Sequence, residues 1–117
     1  MKNNPIEEKS FAFAVRAVRL YQYLTDEKHE WVLSKQFLRS GTSIGANVAE
    51  AERGQSRADF ASKMSIALKE ANETEYWIRL LHASEYLNDT EFASLHRDVN
   101  ELIALLVSIC KTANRNK

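Results

Sequence analysis

Three histidines, one cysteine, a Gly-Thr-Ser-Ile-Gly run and the closely spaced pair Glu70 and Glu73 are the groups of this chain whose types could do chemistry. A carboxylate-bridged di-metal site in a helical bundle needs Glu-x-x-His pairs on two helices. No Glu here is followed by His three residues later. His29, His82 and His96 are too scattered for zinc, which asks for several thiolates or imidazoles at close spacing. Cys110 has neither a helix N-terminus nor an adjacent base to activate it, so a buried structural thiol is expected rather than a nucleophile. Gly41-Thr-Ser-Ile-Gly45 lacks both the Gly-x-x-x-x-Gly-Lys-Ser/Thr spacing and the preceding strand of a phosphate loop. Gly54, Ser56 and Arg57 at a helix start could hold an anion, but caps of this kind are common. No Ser/His/Asp arrangement can be argued. The expectation is no catalysis, no metal and no cofactor.

The polar residues that stand out belong to a dense run of small ones, Arg39-Ser-Gly-Thr-Ser-Ile-Gly-Ala-Asn-Val-Ala-Glu-Ala51. A solvated helix carries charge around most of its circumference. This run carries none between Arg39 and Glu50, so contact with other helices on more than one side is expected.

The elements that must position these groups are helices. Asn4-Pro5 reads as an N-cap followed by Pro at the first helical position, with Glu7 and Glu8 near the positive end of the dipole. The first helix is expected over about 5–28, its apolar stripe Phe11, Ala14, Val18 and Tyr21 widened by Phe13, Ala17, Leu20 and Leu24. The second spans about 30–53, with core face Leu33, Phe37, Ser40, Gly41, Ile44, Val48 and Ala51, and ends at Gly54 as a C-terminal cap. Ser56-Arg-Ala-Asp59 resembles a capping box that opens a third helix over 57–86. Asn88-Asp-Thr90 opens a fourth over 90–112, and the polar tail from Lys111 to Lys117 is expected to fray. No period-two alternation and no hairpin dipeptide occurs. An all-α, antiparallel up-down-up-down four-helix bundle is predicted.

The totals agree. A chain of 117 residues forms one domain, and 16 basic against 16 acidic residues leave no global field to attract nucleic acid. The first thirty residues carry Glu7, Glu8, Arg16, Arg19 and Asp26, which excludes a signal peptide or membrane span there. A single cysteine suits a reducing compartment, and the cytoplasm is expected.

On a helical wheel the second helix has three surfaces. Beside its core face runs a polar stripe of Gln36, Arg39, Ser43, Asn47 and Glu50, and on the other flank sit Leu38, Gly45 and Ala49. The small apolar flank suggests a neighbouring subunit. Gly41 and Gly45 each cost about 1 kcal/mol against Ala in a helix interior, which close packing must offset. The third helix carries Ile66, Glu70, Glu73, Trp77 and Leu80 on one ridge. A hairpin about Gly54–Ser56 sets Arg39 level with Glu70 and Glu73, so Arg39 is expected to pair with one of them through two hydrogen bonds. That network could fix register or subunit geometry, build a ligand site, or be merely solvated. For nucleic acid, Arg16 and Arg19 with Tyr23 on the outer face of the first helix, and Arg53, Arg57 and Lys63 at the second turn, are the candidate contacts.

Gln36-Phe-Leu-Arg-Ser-Gly-Thr-Ser-Ile-Gly-Ala-Asn-Val-Ala-Glu50, then Asp59-Phe60, then Ala67-Leu-Lys-Glu-Ala-Asn-Glu-Thr-Glu-Tyr-Trp77 resemble the four-helix-bundle family of 23S rRNA-intervening sequence proteins, over nearly the whole chain. That family resembles in turn the accessory variability protein of diversity-generating retroelements, a strongly basic pentameric barrel that engages nucleic acid and a reverse transcriptase. The resemblance implies a homopentamer of antiparallel bundles, with no established enzymatic activity. The neutral charge of this chain departs from the basic relative. The expected function is a non-enzymatic, ring-like homo-oligomeric scaffold, in which Arg39, Ser43, Asn47, Glu50, Glu70 and Glu73 form the polar determinants and Gly41, Gly45 and Ala49 pack closely. The alternative is an accessory protein that holds RNA or DNA on basic patches summed around the ring.

Overall fold

The computed structural model describes residues 4–115, and among them every regular element is an α-helix. Four helices, α1 (Pro5–Asp26), α2 (Leu33–Glu52), α3 (Arg57–Ala83) and α4 (Asp89–Arg115), form a helical bundle measuring 45 × 24 × 20 Å. Each helix packs on the next in sequence, α2 with α3 most extensively, while α1 meets α4 only sparsely.

The helix ends differ from the periodicity in instructive ways. α1 stops at Asp26 rather than 28, because His29 takes a left-handed φ of 56° and turns Glu30 N–H onto the Leu24 carbonyl at 2.9 Å. α2 begins at Leu33, and Glu30, expected as its first residue, instead caps it. Its Oε2 accepts from Val32 and Leu33 N–H at 3.0 and 2.8 Å, and its Oε1 from Ser34 N–H at 2.7 Å. Gly54 is not a left-handed cap, since no glycine among the described residues has positive φ. It is needed for space: a Cβ there would lie 3.0 Å from Asp59 Oδ2 and 3.1 Å from the Ala51 carbonyl.

Asp59 N–H donates to the Ser56 hydroxyl at 3.0 Å, but the Asp59 carboxylate accepts from Gln55 N–H. The Asn88–Glu91 box is fully reciprocal, at 2.8 and 2.9 Å. α4 runs on to Arg115, so Lys111 to Arg115 are helical rather than frayed, and Lys117 lies outside the described residues. α3 ends at Ala83 instead of 86. Glu85, at φ 70°, lets Tyr86 N–H reach the Leu81 carbonyl at 2.9 Å and its own N–H reach that of His82 at 3.0 Å, a Schellman closure made without glycine. Glu85→Gly is therefore expected to stabilise the protein by about 0.5 kcal/mol, the left-handed strain removed exceeding the chain entropy gained on unfolding. An unchanged or lower urea midpoint would contradict this.

The core is lined by Phe13, Leu24, Phe37, Ile44, Met64, Ile78, Leu81, Leu102 and Leu106, all at most 2% exposed. Phe13 meets Phe37 edge-to-face at 6.3 Å. The leading stripe assigned to α1 is a correction. Phe11 is 71% and Val18 41% exposed, and the core face is Ile6, Ser10, Phe13, Ala17 and Leu24. Both sets have helical spacing, so periodicity alone does not choose between them. Small residues do: a Cβ on Gly41 would lie 3.1 Å from Ala17 Cβ, and one on Gly45 would lie 3.2 Å from the Ser10 carbonyl. The face of α1 that carries Ser10 and Ala17 is the one the α2 glycines can approach.

Candidate functional site

Gly41 and Gly45 bring α2 against α1, which leaves the opposite flank of α2 to face α3. There the buried Ser40 hydroxyl receives the Thr74 hydroxyl at 2.9 Å, and Thr74 Oγ1 also lies 2.7 Å from the Glu70 carbonyl. Next to Ser40 on the solvent side, Arg39 spans two carboxylates. Its Nη1 donates to Glu70 at 3.3 Å and its Nη2 to Glu73 at 2.5 Å, while Trp77 Nε1 donates to the same Glu73 oxygen at 3.1 Å. The guanidinium thus forks across two acids rather than gripping one. Arg39 and Trp77 hold the Glu73 carboxyl below its ordinary value despite partial burial, and the Glu73 bond, helped by the Glu70 charge, pushes the Arg39 guanidinium up. The Arg39 side chain is half exposed, so the pairing sits at the rim of the α2–α3 seam.

The rest of the polar stripe does not join this network. Ser43 Oγ donates to the Arg39 carbonyl at 2.7 Å and Asn47 Nδ2 to the Ser43 carbonyl at 2.9 Å, both inside α2. Residues of these types one turn apart satisfy themselves on their own helix, which is why a stripe on a wheel need not be a cross-helix chain. Glu50 crosses to α3 by pairing with Lys63 at 2.9 Å, and that bond raises the Lys63 ammonium. Ala49 is partly buried beside Leu38 and Gly45 on the flank toward α1.

The basic residues named for nucleic acid are not brought together. Arg16 is not on a free outer face: it bridges to Asp98 of α4 at 2.6 Å, as Lys9 does to Glu101 at 3.0 Å. Arg19 is exposed near it, with Tyr23 a turn on. Arg53, Arg57 and Lys63 lie toward the other end of the bundle, where α1 begins beside Glu52. Arg19 and that cluster are separated by about ten residues of helix rise or more, at least 15 Å. Lys63 is held by Glu50, and Asp59 and Glu50 line the same shallow cavity as Arg53. The larger cavity beside the second turn, about 670 Å³, is framed by Gly54, Ser56, Arg57, Phe60, Ile109 and Thr112.

Among the described residues no three His, Cys, Asp or Glu side chains gather as metal ligands. Cys110 is buried, with the Ser65 hydroxyl 4.0 Å from its sulfur. Two features had no signal strong enough to find them. Glu30 is not among the side chains favoured at caps. The Ser40–Thr74 bond needed a register finer than a hairpin estimate, although Ser40 was on the core face of the second helix.

The model of the 23S rRNA-intervening sequence protein family matches residues 2–108. The chain belongs to that family. A crystal structure of a protein with unknown function from the S23 ribosomal protein family of Bacteroides thetaiotaomicron VPI-5482 is similar to it. The TM-score is 0.89 and the identity 57%, over 91% of this chain and 98% of that chain. No curated protein matches. The 23S rRNA-intervening sequence match therefore covers all of α1, α2 and α3 and most of α4, including the whole Arg39–Ala51 run. No helix among the described residues is long and apolar enough to cross a membrane.

Proposed function

We infer that the protein is a non-enzymatic, self-assembling interaction module. Its bundle reads as up-down-up-down: α1 pairs with α2 through Asn4–Glu52 and Ser10–Gly45, α2 with α3 through Arg39–Glu73 and Glu50–Lys63, and α3 with α4 through His82–Asp89 and Glu75–His96. The observation that carries self-assembly is the outward stripe of α1. Phe11, Val15 and Val18, one turn apart, are 71%, 36% and 41% exposed. They neighbour the small flank of α2, where Leu38, Gly45 and Ala49 are only partly buried. An aromatic and two β-branched residues aligned beside a flank of small ones form a surface that a second copy can cover. The family resemblance supports a ring-like homo-oligomer, a pentamer, with no catalytic step. An unpaired buried thiol fits residence in the cytoplasm.

Light scattering of the purified protein tests this. The wild type is expected to scatter as an oligomer, and Phe11→Asp/Val18→Asp to fall to smaller species with its helical circular dichroism intact. Substitutions at such exposed positions cost the monomer only about 0.5 kcal/mol. A wild type that is monomeric at every concentration would remove the reading. The second reading, RNA or DNA held on basic patches, draws on the exposed Arg19 beside Tyr23 and on Arg53. Retardation of labelled RNA that weakens with added salt would favour it over the scaffold.

A further inference from the structure

The cavity of about 670 Å³ opens between the α2–α3 turn, the start of α3 and the last turns of α4. Phe60, Ile109 and Ala113 give it apolar walls, and the exposed Ser108 and Thr112 stand at its mouth. Those three wall residues are only partly buried, so the hollow is open to an incoming side chain. Its rim is basic. Arg57 lines it, and the exposed Lys111 and Arg115 follow Ser108 and Thr112 by three residues, which sets them beside the same mouth. Asp59, in the same turn of α3, is turned to the Gln55 N–H at 3.3 Å.

The opposite shape and the opposite charge lie on α1. Phe11 is 71% exposed and stands in line with Val15 and Val18, so it does not fill the hollow of its own chain. Glu7 and Glu8 precede it by four and three residues, and both exposed carboxylates therefore flank the ring on the outward face. Knob and hollow belong to the same end of the bundle. The Asn4–Glu52 bond, at 2.8 Å, places the start of α1 beside the end of α2. The Ser65–Cys110 contact, at 4.0 Å, places the end of α4 beside the first turns of α3.

We propose that Phe11 of one copy seats in this hollow of the next, with Glu7 and Glu8 against Lys111 and Arg115. The pairing rests on the self-assembly inferred above and names the surface that α1 meets. An aromatic ring against apolar walls makes the dry centre of the contact, and the charges make its rim. A knob and a hollow at different places on one chain give a head-to-tail contact, in which each copy inserts one and receives one. Such contacts close into a ring when the rotation between neighbours closes. With both halves at one end of the bundle, neighbours stand side by side rather than climbing into a filament.

Mixing two variants tests the pairing. Phe11→Asp/Val18→Asp removes the knob, and Ser108→Glu/Thr112→Glu sets carboxylates in the mouth of the cavity at exposed positions. Each alone is expected to associate about thirtyfold more weakly than the wild type in sedimentation, with its helical circular dichroism intact. Mixed one to one at millimolar chain concentration, they should form a dimer of one copy of each and nothing larger. Only that combination joins an intact knob to an intact cavity. Mixed variants that stay monomeric overturn the pairing. So does a cavity variant that assembles like the wild type, and self-assembly through another surface would then stand. A monomeric wild type removes self-assembly and the pairing with it. Lys111→Glu/Arg115→Glu, outside the hollow, is expected to weaken assembly about tenfold, and Glu7→Lys/Glu8→Lys on the same chain to restore it. No loss, or a loss without restoration, would also overturn the pairing.

Discussion

Gly41→Leu is expected to destabilise the protein by about 3 kcal/mol, at the upper end of over-packing costs, and to lower its urea midpoint accordingly. Gly41 is buried, and even a bare Cβ there would stand 3.1 Å from Ala17 Cβ and 3.5 Å from the Phe13 ring. Ala17 offers no torsion by which to yield, so the added carbons must push α1 off α2 or leave their rotamers. Gly41→Ala gives the contrast. It gains about 1 kcal/mol of helix propensity and needs the neighbour to move by only tenths of an ångström, so a change within about 1 kcal/mol is expected. Gly41→Leu combined with Ala17→Gly should recover part of the loss, because the two side chains share one space. A leucine variant as stable as the wild type would show that α1 and α2 are not held by this approach.

Glu30→Gln is expected to cost about 2 kcal/mol near neutral pH. The carboxylate is buried and both of its oxygens accept backbone N–H bonds that start α2. A carboxamide keeps one acceptor and turns two donor hydrogens toward the remaining N–H. Burial pushes the Glu30 carboxyl up, but the bonds from Leu33, Ser34 and Val32 outweigh it and hold it below its ordinary value. A lowered folded-state value means stability that is present above the unfolded carboxylate range, about 4.3, and is lost as pH falls through the folded value. The gap between wild type and variant should therefore be widest near neutrality and close in acid. Glu73 and Glu75, also held low, titrate in both proteins and cancel in that difference. A gap that widens in acid would refute the assignment.

What sequence could and could not reveal follows from the range of each interaction. Four amphipathic segments were legible because burial repeats every three or four residues over twenty or more. The level of Arg39 with Glu70 and Glu73 was legible too, because a four-residue turn leaves little choice of register. The correct face of α1 was not. Phe11 and Phe13 are both aromatic members of helical stripes, and only the fit of Ser10 and Ala17 to two glycines on another helix separates them. His29 and Glu85 ended helices where neither glycine nor proline marked the place, because the hydrogen bonds gained there outweigh the left-handed strain. Ser43 and Asn47 bond to the backbone of their own helix, which their place on the polar stripe did not reveal.

The bundle can be pictured as a book. Its spine is α2 against α3, pinned inside by the Ser40–Thr74 hydroxyls, and its covers are α1 and α4. The covers meet mainly along an edge fastened by Lys9–Glu101 and Arg16–Asp98, ion pairs exposed enough for salt to weaken. Parting that edge leaves the spine bonds and the glycine approaches of α1 on α2 untouched. The cover that bears Phe11, Val15 and Val18 is thus tied to the spine by close packing and to the other cover by charge.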